Sequence, residues 1–350
     1  MGKGSTTAST DALADIWQRV LDRPFIDVED NFFEIGGNPS LAVQLFKEVA
    51  KACGRELSPL RMYQAPTMNA MAALLAQPTP LPFPTLVPLK PGSRKPAIFV
   101  THGLGGTVME IFQLVKAIES ERPIYGLQSG GFDGVEEPHT RVEDTAQQYL
   151  DAIKEQQPRG PYVLVGYSFG GLVMLEIAQR LRGRGERVAL LEMIETYPHN
   201  KLLPLTRRLA LFADRVKRHA GILLRLPMRK KIAYLTNHEE RVHASWNHGS
   251  DSQPPETGLL YGPALDRFSR AGIQALVGYQ PRFYNGKINF IKAARVSSSF
   301  PDDPCGIWKE LASEFEIETV PGDHFSMVTS DCHTLAAVIS RHLAAVFSEE

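Results

Sequence analysis

Residues 162–171 read YVLVGYSFGG, and the apolar, helix-forming run GLVMLEIAQRL continues from Gly171. Tyr162 to Gly166 is a short continuous hydrophobic run, of the kind buried on both faces of a parallel sheet. It feeds into Gly166-Tyr167-Ser168-Phe169-Gly170, a G-x-S-x-G element in a strand–turn–helix setting. The turn is so tight that the positions two before and two after the serine have no room for side chains. The serine oxygen then projects from the top of the sheet, and the N–H of Phe169 at the helix start can face a developing oxyanion. The pentapeptide alone also fits an incidental glycine-bearing loop; its flanking strand and helix make Ser168 a candidate nucleophile.

Working outward, Ala97 to Thr101, Val188 to Ile194 and Ile288 to Ile291 are further buried-strand runs. Helical patterns such as Val142 to Glu155 fall between them, and this alternation predicts an α/β sheet. Between Leu202 and His248 the strand signal gives way to an amphipathic, basic helical pattern, read as a lid inserted over the sheet. On the N-terminal side, residues 77–96 are proline-rich, which prevents a helix and favours extended backbone. Residues 10–77 are expected to form a small helical bundle, 78–96 a linker, and 97–350 the large domain. Within the bundle, Leu13, Ile16, Trp17, Val20 and Leu21 recur at helical spacing, Leu41 to Ala52 forms a second helix, and Ala65-Pro66-Thr67 opens a third.

The 350 residues carry a net charge of −1, so no electrostatic footprint for nucleic acid is present. Cys53, Cys305 and Cys332 are scattered without metal-ligand spacing, which fits a reducing compartment. No apolar run is long enough to span a membrane and Met1 to Thr10 lacks a signal-peptide core, so a cytoplasmic protein is expected.

A serine nucleophile needs a histidine to take its proton and a carboxylate to orient that histidine. His324, in Val320-Pro321-Gly322-Asp323-His324-Phe325 after a strand-like run, is the best-placed base; His333 and His342 fall on or near the last helix, and His238, His243 and His248 in the lid. For the acid, Glu195 stands just past Val188 to Ile194, at the carboxyl edge where catalytic groups gather. Asp303, in the loop after Ile288 to Ile291, is its rival; Asp323 is too close in sequence to His324 to pair with it well. The loop His102-Gly103-Leu104-Gly105-Gly106 offers Leu104 N–H as a second oxyanion donor, with His102 as a loop-stabilising residue.

Taken together, GPYVLVGYSFGGLVMLEIAQRL, the strand ending in Glu195-Thr196-Tyr197, and VPGDHFSMV resemble the thioesterase domains that end nonribosomal peptide and polyketide synthases. The resemblance covers Leu89 to Leu343 and implies an α/β-hydrolase fold with a helical lid. One departure is Glu195, where the family usually carries aspartate. The front domain, Ala12 to Leu75, resembles a peptidyl or acyl carrier protein of four helices, most strongly at Asp30-Asn31-Phe32-Phe33-Glu34-Ile35-Gly36-Gly37. That resemblance implies 4'-phosphopantetheine on a serine, but Pro39 occupies the serine's slot and Ser40 comes one residue later.

The implied activity is release of an acyl or peptidyl chain from a phosphopantetheine thioester through a Ser168 acyl-enzyme, by hydrolysis or cyclisation. The implied partners are upstream synthase modules and a phosphopantetheinyl transferase. Other readings are release by carbon–carbon bond formation between acyl chains, an editing thioesterase whose inactive carrier serves only for docking, and a generic esterase.

Overall fold

The computed structural model describes residues 10–77, 83–132, 136–199, 213, 262–295 and 303–348. The lid expected at 202–248 therefore lies outside the described residues, apart from residue 213.

The front domain contains α1 (Thr10–Leu21), α2 (Pro39–Cys53) and α3 (Met68–Ala76), with a 3-10 helix at Pro59–Tyr63 as its fourth element. Each boundary has a local cause. The Asn38 side chain accepts from Leu41 N–H at the start of α2, and Gly54, in the left-handed region, ends it. Thr67 caps α3 in the same way as Asn38 caps α2. Leu13, Trp17, Phe32, Leu45 and Met71 form the bundle's core, with Trp17 edge-on to Phe32.

The large domain is a seven-stranded sheet: β1 (Leu86–Lys90), β2 (Ile98–Thr101), β3 (Ile124–Leu127), β4 (Tyr162–Tyr167), β5 (Val188–Ile194), β6 (Tyr284–Ala293) and β7 (Ala312–Val320), in spatial order β1-β3-β2-β4-β5-β6-β7. All neighbours are parallel except β1 with β3. Residues 86–90, expected as linker, are thus an edge strand. Pro88 is tolerated there because an edge needs donors on one side only, and the register shifts between Pro88 and Lys90.

The crossovers carry α4 (Phe112–Ala117), α5 (Val142–Gln156) and α6 (Phe169–Gly183); α7 (Gly262–Gly278), α8 (Cys305–Trp308) and α9 (Cys332–Ser348) follow β5, β6 and β7. Alternate residues of the central strands face opposite layers. Phe99 and Leu164 pack with α5 and α6, whereas Ile98, Val100, Val163 and Val165 pack with α4 and α9. With both faces covered, the sheet presents its functional loops at the carboxyl ends of β2, β4, β5 and β7.

Candidate active site

Ser168 joins β4 to α6 with φ 54 and ψ −120, a conformation that non-glycine residues rarely adopt. Such a strained backbone costs of order 1–3 kcal/mol and persists only when its surroundings fix it. Here Ser168 N–H donates to the Ile194 carbonyl at 2.8 Å, and its own carbonyl accepts from Gly171 N–H at 3.1 Å. A Cβ on Gly166 would collide with Gly171, and one on Gly170 would overlap the His102 carbonyl oxygen. The glycines are required by this close approach, as the motif predicts.

His324 lies in the turn after β7 and Glu195 directly after β5; the two are 6 % and 4 % exposed. Glu195 Oε2 stands 3.6 Å from His324 Nδ1, within ion-pair range and longer than a good hydrogen bond. Glu195 itself is held rigidly. Its backbone is in the left-handed region at φ 46, its N–H donates to Ile291, and its Oε1 accepts from Ala293 N–H at 2.7 Å. Adjacent Asp323 scaffolds the turn, accepting from the N–H groups of Phe325 and Ser326 and pairing with Arg295. Asp303 is exposed and accepts from Gly306 N–H at 3.3 Å at the start of α8.

Two residues with no role assigned from the sequence belong to this neighbourhood. Tyr167 stacks at a tilt on His324, ring centres 5.1 Å apart, and its O–H donates to the His324 carbonyl at 2.7 Å. Burial, with Glu110, Glu195 and Asp323 nearby, holds its phenol well above the ordinary range, so it stays a donor. Glu110 Oε2 accepts from the N–H of Gly103 at 2.8 Å under the 102–106 loop. Its only sequence signal was being an acid just past a glycine-rich loop. Phe169 opens α6 and Leu104 lies in that loop, beside Gly272 of α7.

Three further histidines weighed in the sequence stand elsewhere. His102 is buried against Gly103 and Tyr149, His333 is exposed, and His342 pairs with Glu192 and Glu318. In the front domain, Pro39 fills the first turn of α2 and Ser40, the one hydroxyl between Asp30 and Leu41, is exposed beside it.

A seven-stranded, mostly parallel sheet with a strained serine at a strand–helix elbow defines an α/β-hydrolase. Within that class the chain belongs to the thioesterase domain family, which matches residues 96–344; the phosphopantetheine attachment site family matches residues 11–75. Thioesterases are hydrolases, and the front domain is of the kind to which phosphopantetheine is covalently attached. An exposed serine hydroxyl at a helix N-terminus, where backbone N–H groups favour phosphate, fits that group.

The dimodular nonribosomal peptide synthase of Bacillus subtilis (strain 168) is 37% identical over 205 residues, covering 58% of this chain and 9% of that protein. The chain thus spans a small part of the curated relative it matches. Among solved structures, holo-AB3403, a four-domain nonribosomal peptide synthetase, aligns over 99% of this chain and 26% of its own with TM-score 0.56 and 21% identity. The NocB thioesterase domain aligns over 71% of this chain and 95% of its own with TM-score 0.50 and 18% identity. At those identities the two structures speak for the fold. Among the described residues, no helix is long and apolar enough to cross a membrane.

Proposed function

We propose that the chain releases an acyl or peptidyl group from a thioester, with Ser168 as nucleophile, His324 as base and Glu195 as the acid that orients it. The observation that carries this reading is the buried Glu195–His324 pair at the sheet edge that also holds the strained Ser168. Asp303 is the weaker acid because its carboxylate is exposed and accepts from Gly306 N–H at the start of α8.

Phosphopantetheine supplies a thiol that presents the acyl group as a thioester, and Ser40 is the residue that would hold it. His324 Nε2 takes the Ser168 proton as Oγ bonds to the carbonyl carbon, while Glu195 faces the Nδ1 side and favours the imidazolium. The N–H groups of Phe169 and Leu104 accommodate the oxyanion. On collapse the carbon–sulfur bond breaks and His324 returns its proton to the departing sulfur. Water, or an internal hydroxyl or amine of the acyl chain, then attacks the acyl-enzyme, giving up its proton through His324 to Ser168 Oγ. The product is an acid or a ring. In this reading upstream synthase modules supply the chain, in the cytoplasm.

Ser168→Ala is expected to abolish turnover of carrier-bound thioesters with the fold intact; retained turnover overturns the assignment. Faster turnover of simple esters than of thioesters would instead favour a generic esterase.

A second reading is favoured by Pro39 and by the contact of Phe33 with Phe112 of the large domain: a silent carrier that only docks. Incubation with coenzyme A and a broad-specificity phosphopantetheinyl transferase, followed by peptide mass mapping, separates the two. Added mass at Ser40 supports a loaded carrier, and its absence in a folded chain supports the docking module.

A further inference from the structure

The loop from His102 to Gly106 is gripped by side chains from two sides. His102 is 1 % exposed; its Nδ1 lies 2.6 Å from the Gly103 carbonyl and its Nε2 lies 2.6 Å from the Tyr149 hydroxyl. A carbonyl oxygen can only accept, so Nδ1 carries the proton and Nε2 accepts from Tyr149. Burial pushes the His102 imidazole down to about 4, so the ring stays neutral and keeps this one tautomer. Tyr149, itself close to Ser129, is pushed up by burial and remains a donor. From the other side, Glu110 Oε2 accepts Gly103 N–H at 2.8 Å.

The peptide unit between Gly103 and Leu104 contains the Gly103 carbonyl and the Leu104 N–H. In a trans peptide these two groups point in opposite directions. Fixing the carbonyl on His102 therefore fixes the direction of the Leu104 N–H. Glu110 pins the preceding peptide unit through Gly103 N–H, so the central one cannot flip without breaking the bond to His102 and pivots on a neighbour that is itself held. A Cβ on Gly103 would stand 2.8 Å from Glu110 Oε2 and 3.2 Å from the Tyr167 ring, so the loop is seated tightly. The Gly170 contact with the His102 carbonyl ties it to the serine elbow.

We infer that His102 and Glu110 are positioning residues that preset the oxyanion hole by locking the Gly103–Leu104 peptide with its N–H turned away from His102. The inference rests on the reading of Ser168 as nucleophile and of Leu104 as oxyanion donor. A donor fixed before charge develops needs no reorganisation during the reaction, which is where such groups gain their effect.

The test uses the full chain and a fluorophosphonate, which phosphonylates a nucleophilic serine and sets its P–O oxygen where an acyl oxyanion would stand. Its maximal inactivation rate and its half-saturating concentration are measured separately, with a small N-acetylcysteamine thioester as substrate in parallel. His102→Phe keeps the ring and removes the donor; it is expected to slow phosphonylation and kcat by roughly 10- to 100-fold, below the loss for an absent donor, with half-saturation and KM nearly unchanged. Glu110→Leu should act likewise, and Glu110→Gln, which keeps an accepting oxygen, should recover most of the rate. If His102→Phe does not fold, Tyr149→Phe removes only the O–H that fixes the tautomer and should slow phosphonylation several-fold. A wild-type chain not labelled at Ser168 overturns the nucleophile reading and this inference with it. Labelling at Ser168 with unchanged rates in the folded variants overturns the positioning role alone.

Discussion

Single residues divide into those whose chemistry is written locally and those whose role exists only through space. Ser168 stood out as a candidate because its strand, glycines and helix are contiguous, and His324 because the acid and base of such a serine follow it in a fixed order. Glu195 was legible from its place one residue beyond a buried strand, although nothing in the sequence gave its left-handed backbone or its bond to Ala293 N–H. Replacing it tests the acid directly: Glu195→Gln keeps shape and removes charge, and kcat is expected to fall on the order of 10³-fold or more. Asp303→Asn should leave kcat within about twofold, since its carboxylate is exposed and accepts from Gly306 N–H at the start of α8; the reverse ranking in steady-state kinetics would move the acid to Asp303. Tyr167 had no sequence signature, being one variable position inside the motif. Tyr167→Phe removes the O–H that the His324 carbonyl accepts, a net loss of about 1 kcal/mol. If it loosens the base, kcat falls while Tm drops by a few degrees; a Tm change alone would make Tyr167 purely structural.

Elements were legible where one periodicity dominated and obscure where two effects competed. The central strands and the helix after Ser168 follow from apolar runs, since both faces of the sheet are covered. Strand β1 was hidden because proline usually argues against a strand, and only its edge position removes the conflict. Helix α9 hides a different feature. Its His342 meets fully buried Glu192 of β5 at 3.0 Å and Glu318 of β7 at 2.7 Å. The bond to Glu192 leads the effects that raise the His342 imidazole above its ordinary 6.5, while burial raises Glu192 above its ordinary 4.5. A raised folded-state value means that the stabilisation is complete below the unfolded value and is lost as pH rises through the folded one. Both groups thus weaken the fold on the alkaline side. Glu318, lowered chiefly by its bond to Arg341, loses its contribution as pH falls below 4.5. Above pH 4.5 the Glu192 contribution is already declining, whereas those of His342 and Glu318 are both complete between about pH 4.5 and 6.5. The Tm difference between wild type and His342→Gln should be largest there and shrink above pH 6.5; a difference that grew with pH would show that His342 is neutral in the folded chain.

At the scale of the molecule, the two domains expected from the proline-rich boundary share one hydrophobic cluster. Phe33 and Tyr63 of the front domain stack on each other and meet Phe112 of the large domain at 4.6 and 5.7 Å between ring centres. Phe83 lies between Arg61, 4.0 Å above its ring, and Phe132, which stacks in turn on Phe268. No sequence pattern announced this seam, because each ring reads as core of its own domain and its partner lies across a boundary. A continuous apolar seam couples the stabilities of the parts it joins. The wild-type chain is therefore expected to unfold in a single calorimetric transition. Phe112 is 6 % exposed, and Phe112→Ala removes the ring that both Phe33 and Tyr63 touch. Truncating a buried phenylalanine costs about 3–5 kcal/mol, and most of that loss should fall on the docking of the front domain. The single transition should then split in two, with hydrogen exchange at Pro59–Tyr63 accelerating before exchange in β4 does. One unsplit transition and uniform exchange in Phe112→Ala would mean that the domains are coupled through Phe83 and β1 instead, and the same measurement on Phe83→Ala would then show the split.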